Sequence, residues 1–197
     1  MNANARAMAG SIEARGFAAE PHGAEAAAVL VLGVGLLLLR LGVHGRFALA
    51  ELAVIYLAVF VLASRAQVIP ERSAPMWWVP VLLIGIGAVA AASLGAGRPL
   101  PSVVTVGGVA LNSAAAIGEE AFFRRFLYGR LTEFGVPAAI GGSAVLFALI
   151  HLPAYGPAAF WLDLSAGLVL SWQRWASGSW RVPAATHVVA NLAAVLR

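Results

Sequence analysis

Residues 24–43 read AEAAAVLVLGVGLLLLRLGV, a run of twenty in which only Glu25 and Arg40 are charged. An α-helix rises about 1.5 Å per residue, so about 20 apolar residues match the ~30 Å hydrocarbon core of a bilayer. The run reads as a membrane-spanning helix, with Arg40 near enough to its end for the side chain to snorkel to the interface. Composition agrees with that solvent. Of 197 residues, 61% are hydrophobic and only 11% charged, against roughly a quarter charged in an ordinary soluble domain. Such a chain cannot tile a water-facing surface, which excludes a soluble enzyme, a disordered tail and a DNA-binding domain. The 13 cationic residues are all arginine and sit singly or in pairs at the ends of apolar runs. Nucleic-acid binding needs a clustered basic face, so the net charge of +4 implies no nucleic-acid partner. With no cysteine, disulfides, thiolate catalysis, Cys-ligated zinc and iron–sulfur clusters are excluded.

Upstream, residues 1–23 carry Arg6, Glu13, Arg15 and Glu20 without an apolar core of signal-peptide length, and read as a polar tail. Downstream, a second span runs from Phe47 to Ser64, and a third lies within the uncharged stretch Ser73 to Gly97 behind the interfacial Trp77 and Trp78. A fourth begins near Pro99 and continues through Glu119, Glu120, Arg124 and Arg125, because no helix breaker comes before Gly135 and Pro137. A fifth runs from Pro137 to about Leu152, ahead of Pro153. A sixth covers Pro157 to Trp175, and a seventh Val182 to Leu196. The expected fold is an all-α polytopic membrane protein of about seven transmembrane helices. Nine arginines (Arg6, Arg15, Arg65, Arg72, Arg124, Arg125, Arg130, Arg174, Arg181) fall on the amino-terminal side and four (Arg40, Arg46, Arg98, Arg197) on the other, which puts the amino terminus in the cytoplasm. The first three spans suggest no chemistry.

Ionisable groups at membrane depth are costly, and mark a functional site by default. Glu119 and Glu120 with Arg124, then His151, then His187 with Asn191, and finally Asp163 qualify. The turn between spans four and five is only about Glu133 to Val136, so the two form an antiparallel hairpin. Glu119 lies 13 residues before Thr132 and His151 14 after Pro137, each about 20 Å from the turn. The two side chains are therefore expected side by side. Glu120 and Arg124, at i,i+4 with the acid first, suit an ion pair; Glu119 points about 100° away and reads as unpaired. Phe147 shares a face with His151, and His187 with Asn191. Glutamate and histidine together can hold and deprotonate a water, and two neutral donors can stabilise the oxyanion formed when it adds to a peptide carbonyl.

Glu119-Glu120-Ala-Phe-Phe-Arg124 matches EExxxR, Phe147-Ala-Leu-Ile-His151 matches FxxxH, and His187-Val-Val-Ala-Asn191 matches HxxxN, in that order. Over about residues 105 to 195 the chain resembles the CPBP family (CAAX protease and bacteriocin-processing, also called Abi), intramembrane glutamic endopeptidases. The spans divide the chain into the tail 1–23, three N-terminal membrane helices in 24–98 and four helices in 99–197, and the resemblance implies that the last part is a catalytic core. It implies Glu119 as the base that activates water, His151 as its orienting partner, and His187 with Asn191 as the oxyanion site. Glu120 and Arg124 would support the site and Phe147 would pack beside it. The implied partners are membrane lipid and a membrane-anchored protein or peptide substrate. No cofactor is expected; two Glu and two His could ligate zinc, but no HExxH occurs and the four residues have complete roles without metal. The absence of lysine fits a bacterial member in the inner (plasma) membrane.

Other readings of the same residues stay open. The glutamates could be solvated at a helix end, His151 could cap, His187 and Asn191 could join helices, and Asp163 has no nameable partner at the outer opening of span six. The chain could also be a non-catalytic immunity or scaffold protein of the same fold, or a small proton-coupled transporter. Hydrolysis needs the polar groups at one point, whereas a proton relay needs them strung across the membrane. One distance does not close: His187 is about five residues into span seven, roughly 8 Å from its start, while His151 is near the far end of span five. Either Ser177 to Pro183 dips inward or the helix limits differ.

Overall fold

A computed structural model describes residues 21–66, 68, 71, 75–95 and 104–195. Among them the chain is all helix. Helices α1 (Pro21–Leu39), α2 (Ala48–Arg65) and α3 (Trp78–Gly95) come first; a 3-10 turn, Arg40–Gly42, follows α1. Helix α4 starts as Val106–Glu120, passes into a π-helical stretch, Ala121–Leu127, and ends with the turn Tyr128–Leu131. Helices α5 (Val136–Tyr155), α6 (Phe160–Ser177) and α7 (Arg181–Val195) complete seven. Gly23–Gly42, Ala48–Arg65 and Val136–Tyr155 are long and apolar enough to cross a membrane by length and composition. Large apolar side chains such as Val31, Leu32, Val54, Leu57, Leu83 and Ile84 face outward, as lipid contact requires. The protein is an all-α integral membrane protein.

Several limits differ from the sequence expectation, each for a local reason. Helix α1 begins at Pro21, a residue suited to a first turn, rather than at Ala24. Helix α4 begins at Val106 rather than near Pro99, because the Thr105 hydroxyl caps it by accepting from the Gly108 amide at 3.0 Å. Helix α5 continues past Pro153 to Tyr155, where the Gly156 amide closes the last turn on the Leu152 carbonyl. Most of the expected tail 1–23 lies outside the described residues, as do Arg6, Arg15, Arg72, Arg98 and Arg197 of the orientation count.

Helix α4 runs through the centre and packs on α2, on α7 and on its hairpin partner α5, while α5 packs on α6 and α3 covers α6 and α7. The π-helical stretch supplies the apolar core: Phe122, Phe123 and Phe126 lie buried against Leu37 of α1, Val59 and Ala63 of α2 and Phe147 of α5. Gly135, at φ 97°, makes the α4–α5 turn, a conformation that a side chain disfavours. Gly167 lets α6 lie against α5: a Cβ there would sit 3.0 Å from the Ala144 Cα. Ser143 and Ser171 hydroxyls meet at 2.9 Å across the same contact.

The turn between α6 and α7 is buried. Ser177 and Ser179 have no exposed surface. The Ser177 hydroxyl donates to the Gln173 carbonyl at 2.6 Å, and Trp78 Nε1 donates to the Ser177 carbonyl at 3.2 Å. Irregular backbone at depth is tolerated where protein satisfies its polar groups. Helix α7 thus starts from a turn packed against protein, and α5 and α7 both begin or end beyond the expected limits, at Tyr155 and Arg181.

Candidate active site

Glu119 and Glu120 are the last residues of the α-helical part of α4, immediately before its π-helical stretch; such interruptions are frequent at functional sites. Both carboxylates are buried, and they face different partners. Glu120 Oε1 accepts from Arg124 Nη1 at 2.9 Å and from His187 Nδ1 at 2.9 Å. Arg124 is itself fully buried, its guanidinium 4.5 Å over the Phe147 ring and its Nη2 donating to the Gly167 carbonyl at 3.2 Å. Glu120, Arg124 and Phe147 thus form a brace between α4, α5, α6 and α7.

Glu119 Oε2 lies 3.7 Å from His151 Nε2 and 4.0 Å from His187 Nε2. These separations are too long for direct hydrogen bonds and leave room for one atom to touch all three. His151 Nδ1 donates to the Phe147 carbonyl at 2.8 Å, since a carbonyl only accepts, so in the neutral ring Nε2 is a lone pair turned toward Glu119. His187 Nδ1 donates to the Glu120 carboxylate, so its Nε2 is a donor only when the ring is an imidazolium. That differs from the neutral donor expected from the sequence. Asn191 is one turn further along α7; its Nδ2 gives one hydrogen to the Asn112 carbonyl at 3.1 Å and keeps another.

His151, His187, Asn191 and Phe147 line a cavity of about 470 Å³ walled otherwise mainly by small and aliphatic residues of α3, α6 and α7. Asp163, in the first turn of α6, also lines it. Among the described residues no group of three or more His, Cys, Asp or Glu side chains has the arrangement of a metal site.

The family model described as type II CAAX prenyl endopeptidase Rce1-like matches residues 100–193. That match agrees with the resemblance to CAAX proteases carried by the three motifs. The three motifs, and every polar group just described on α4, α5 and α7, fall inside the matched segment. No curated protein and no solved structure matches the chain. The family is one of proteases, which implies a protein substrate and a membrane setting for this CAAX protease relative.

One residue outside the matched segment reaches the same carboxylate, and a second holds it there. Arg40 Nη1 donates to Glu119 Oε1 at 2.5 Å and to the Tyr56 hydroxyl at 3.0 Å. Glu119 is therefore paired, and Arg40 is turned into the bundle with 9% of its side chain exposed instead of snorkelling to the interface. The correction has a plain physical reason: a buried carboxylate at this depth needs a cation, and α1 brings one to it. The first two helices do carry part of the site. The signal was present, because an arginine inside LLLLRLGV is as anomalous as the glutamate it meets. Two further arginines read as topology markers also have structural partners: Arg125 donates to the Ala63 and Ala66 carbonyls at the end of α2, and Arg174 donates to the Arg124 carbonyl at 3.1 Å.

Proposed function

We propose that the chain is an intramembrane endopeptidase that hydrolyses a peptide bond of a membrane-associated protein or peptide by direct attack of water. The observation that carries this is the convergence of Glu119 Oε2 with the Nε2 atoms of His151 and His187, within 4.0 Å, beside the cavity that both histidines line. A water there can give one hydrogen to Glu119 Oε2 and the other to His151 Nε2, which aims its oxygen lone pair at a carbonyl in the cavity. Glu119 takes the proton as base and returns it to the leaving amine. The free N–H of Asn191 stabilises the oxyanion, with His187, held by Glu120, beside it. Arg40 holds Oε1, so that Oε2 is the oxygen left for chemistry.

Convergence favours hydrolysis over a proton relay, whose groups must be spread across the membrane. A positive charge already rests on Glu119, and this supports a mechanism without metal: chelators are expected to leave cleavage unchanged, and chelator-sensitive cleavage restored by zinc overturns that part. In the same reading residues 99–197 are the catalytic core behind the helices of 24–98. All seven helices span the membrane, which is the inner membrane of a bacterium, with the amino terminus cytoplasmic.

The test is His151→Ala in proteoliposomes containing a cleaved membrane substrate. Uncleaved substrate is expected to accumulate with the rate down about 10²-fold or more, while the protein remains inserted. Normal processing removes His151 from the mechanism. If Glu119→Gln also processes normally, the catalytic assignment is wrong.

A further inference from the structure

The acids near the cavity differ in one respect. Glu119 has Arg40 and Glu120 has Arg124, but Asp163 pairs with no cation among the described residues. Its Oδ2 is buried and accepts no hydrogen bond. Asp163 lies in the first turn of α6 and lines the cavity together with His151, His187 and Tyr155. The neighbouring basic groups make their hydrogen bonds elsewhere and none with Asp163: His151 Nδ1 to the Phe147 carbonyl, His187 Nδ1 to Glu120, and Arg40 Nη1 to Glu119 and Tyr56. A carboxylate without a partner in a low-dielectric pocket attracts a cation more strongly than one in water.

On the reading that this cavity receives a peptide substrate, the geometry points to Asp163 as a recognition residue for a basic side chain of that substrate, bound close to the bond that is cut. The pocket suits such a side chain. Its aliphatic wall, which includes Leu162, Val169 and Leu170, matches the methylene stem of a lysine or arginine. The Tyr155 ring beside Asp163 adds an aromatic surface of the kind that favours cations. A neutral substrate would leave the carboxylate as it stands, and an acidic one would be repelled. The substrate class is therefore a largely apolar membrane segment with one basic residue near its cleavage site.

The probe is a set of myristoylated Ala/Leu peptides in which a single lysine, or norleucine as its neutral isostere, is walked along the central positions. Binding is measured to Glu119→Gln protein, so that cleavage does not intervene. Phosphatidylcholine nanodiscs are used because their lipid carries no primary ammonium. At one position lysine is expected to bind about tenfold tighter than norleucine, the size of a charged hydrogen bond. Asp163→Asn in that background should abolish the preference and leave norleucine binding unchanged, whereas Asp163→Glu should keep it. No preference at any position, or one that survives Asp163→Asn, overturns the assignment. The same peptides given to protein with Glu119 intact separate the two readings. Lysine-selective binding without cleavage sinks the protease reading alone, and cleavage without selectivity sinks the role of Asp163 alone.

Discussion

Replacing Glu119 by Gln is expected to lower peptide cleavage by about 10³- to 10⁴-fold, the upper range for loss of a general base, with little change in substrate binding. The amide keeps the shape of the side chain, and its oxygen still accepts from Arg40, so the bundle keeps its form. What it cannot do is take a proton from a water shared with His151, 3.7 Å from the native Oε2. The loss should fall on kcat and leave KM near its native value, the signature of an interaction made in the transition state only. Single-turnover cleavage of an anchored peptide measures it. A variant within tenfold of the native rate would falsify the assignment of Glu119 as base.

The second large effect is on stability. Arg40→Met removes the cation from a carboxylate that is 5% exposed and leaves that charge between two histidines. Breaking one side of a buried ion pair costs about 3–5 kcal/mol, so the melting temperature in detergent should drop sharply. The double variant Arg40→Met with Glu119→Gln removes both charges and should recover much of that loss; the coupling between the two sites is the quantity of interest. Arg40→Lys should retain most of the stability, since an ammonium can still reach Glu119. Equal melting temperatures for Arg40→Met and the native protein would show that the pair contributes nothing.

These two residues also mark where reading the sequence succeeds and where it stops. Glu119 and His151 were legible as neighbours because a short turn makes α4 and α5 a hairpin, and equal distance from the turn sets equal depth. The Glu120–Arg124 pair was legible because helical spacing puts the two on one face. Both inferences use local geometry. Arg40 meets Glu119 across 79 residues, and its partner depends on how α1 and α2 pack on α4, which periodicity does not encode. Judging Glu119 unpaired from its own helix alone was the error. The depth of His187 stayed open for a related reason: the Ser177–Ser179 turn is held by Trp78 and by its own serine hydroxyls, contacts that periodicity does not encode. Pro153 misled as a stop signal because the α5 backbone can close its last turn at Gly156.

The link between Arg40 and Glu119 also bears on the order of assembly. During synthesis α1 enters the membrane 79 residues before the carboxylate that neutralises it exists. Until α4 follows, its guanidinium has only the interface or the Tyr56 hydroxyl to turn to. The ion pair therefore closes late, when α4 docks, and the side chain moves inward as it does. A nascent chain stopped short of Glu119 holds an arginine without its carboxylate, and the finished chain holds the same arginine against Glu119 inside the bundle.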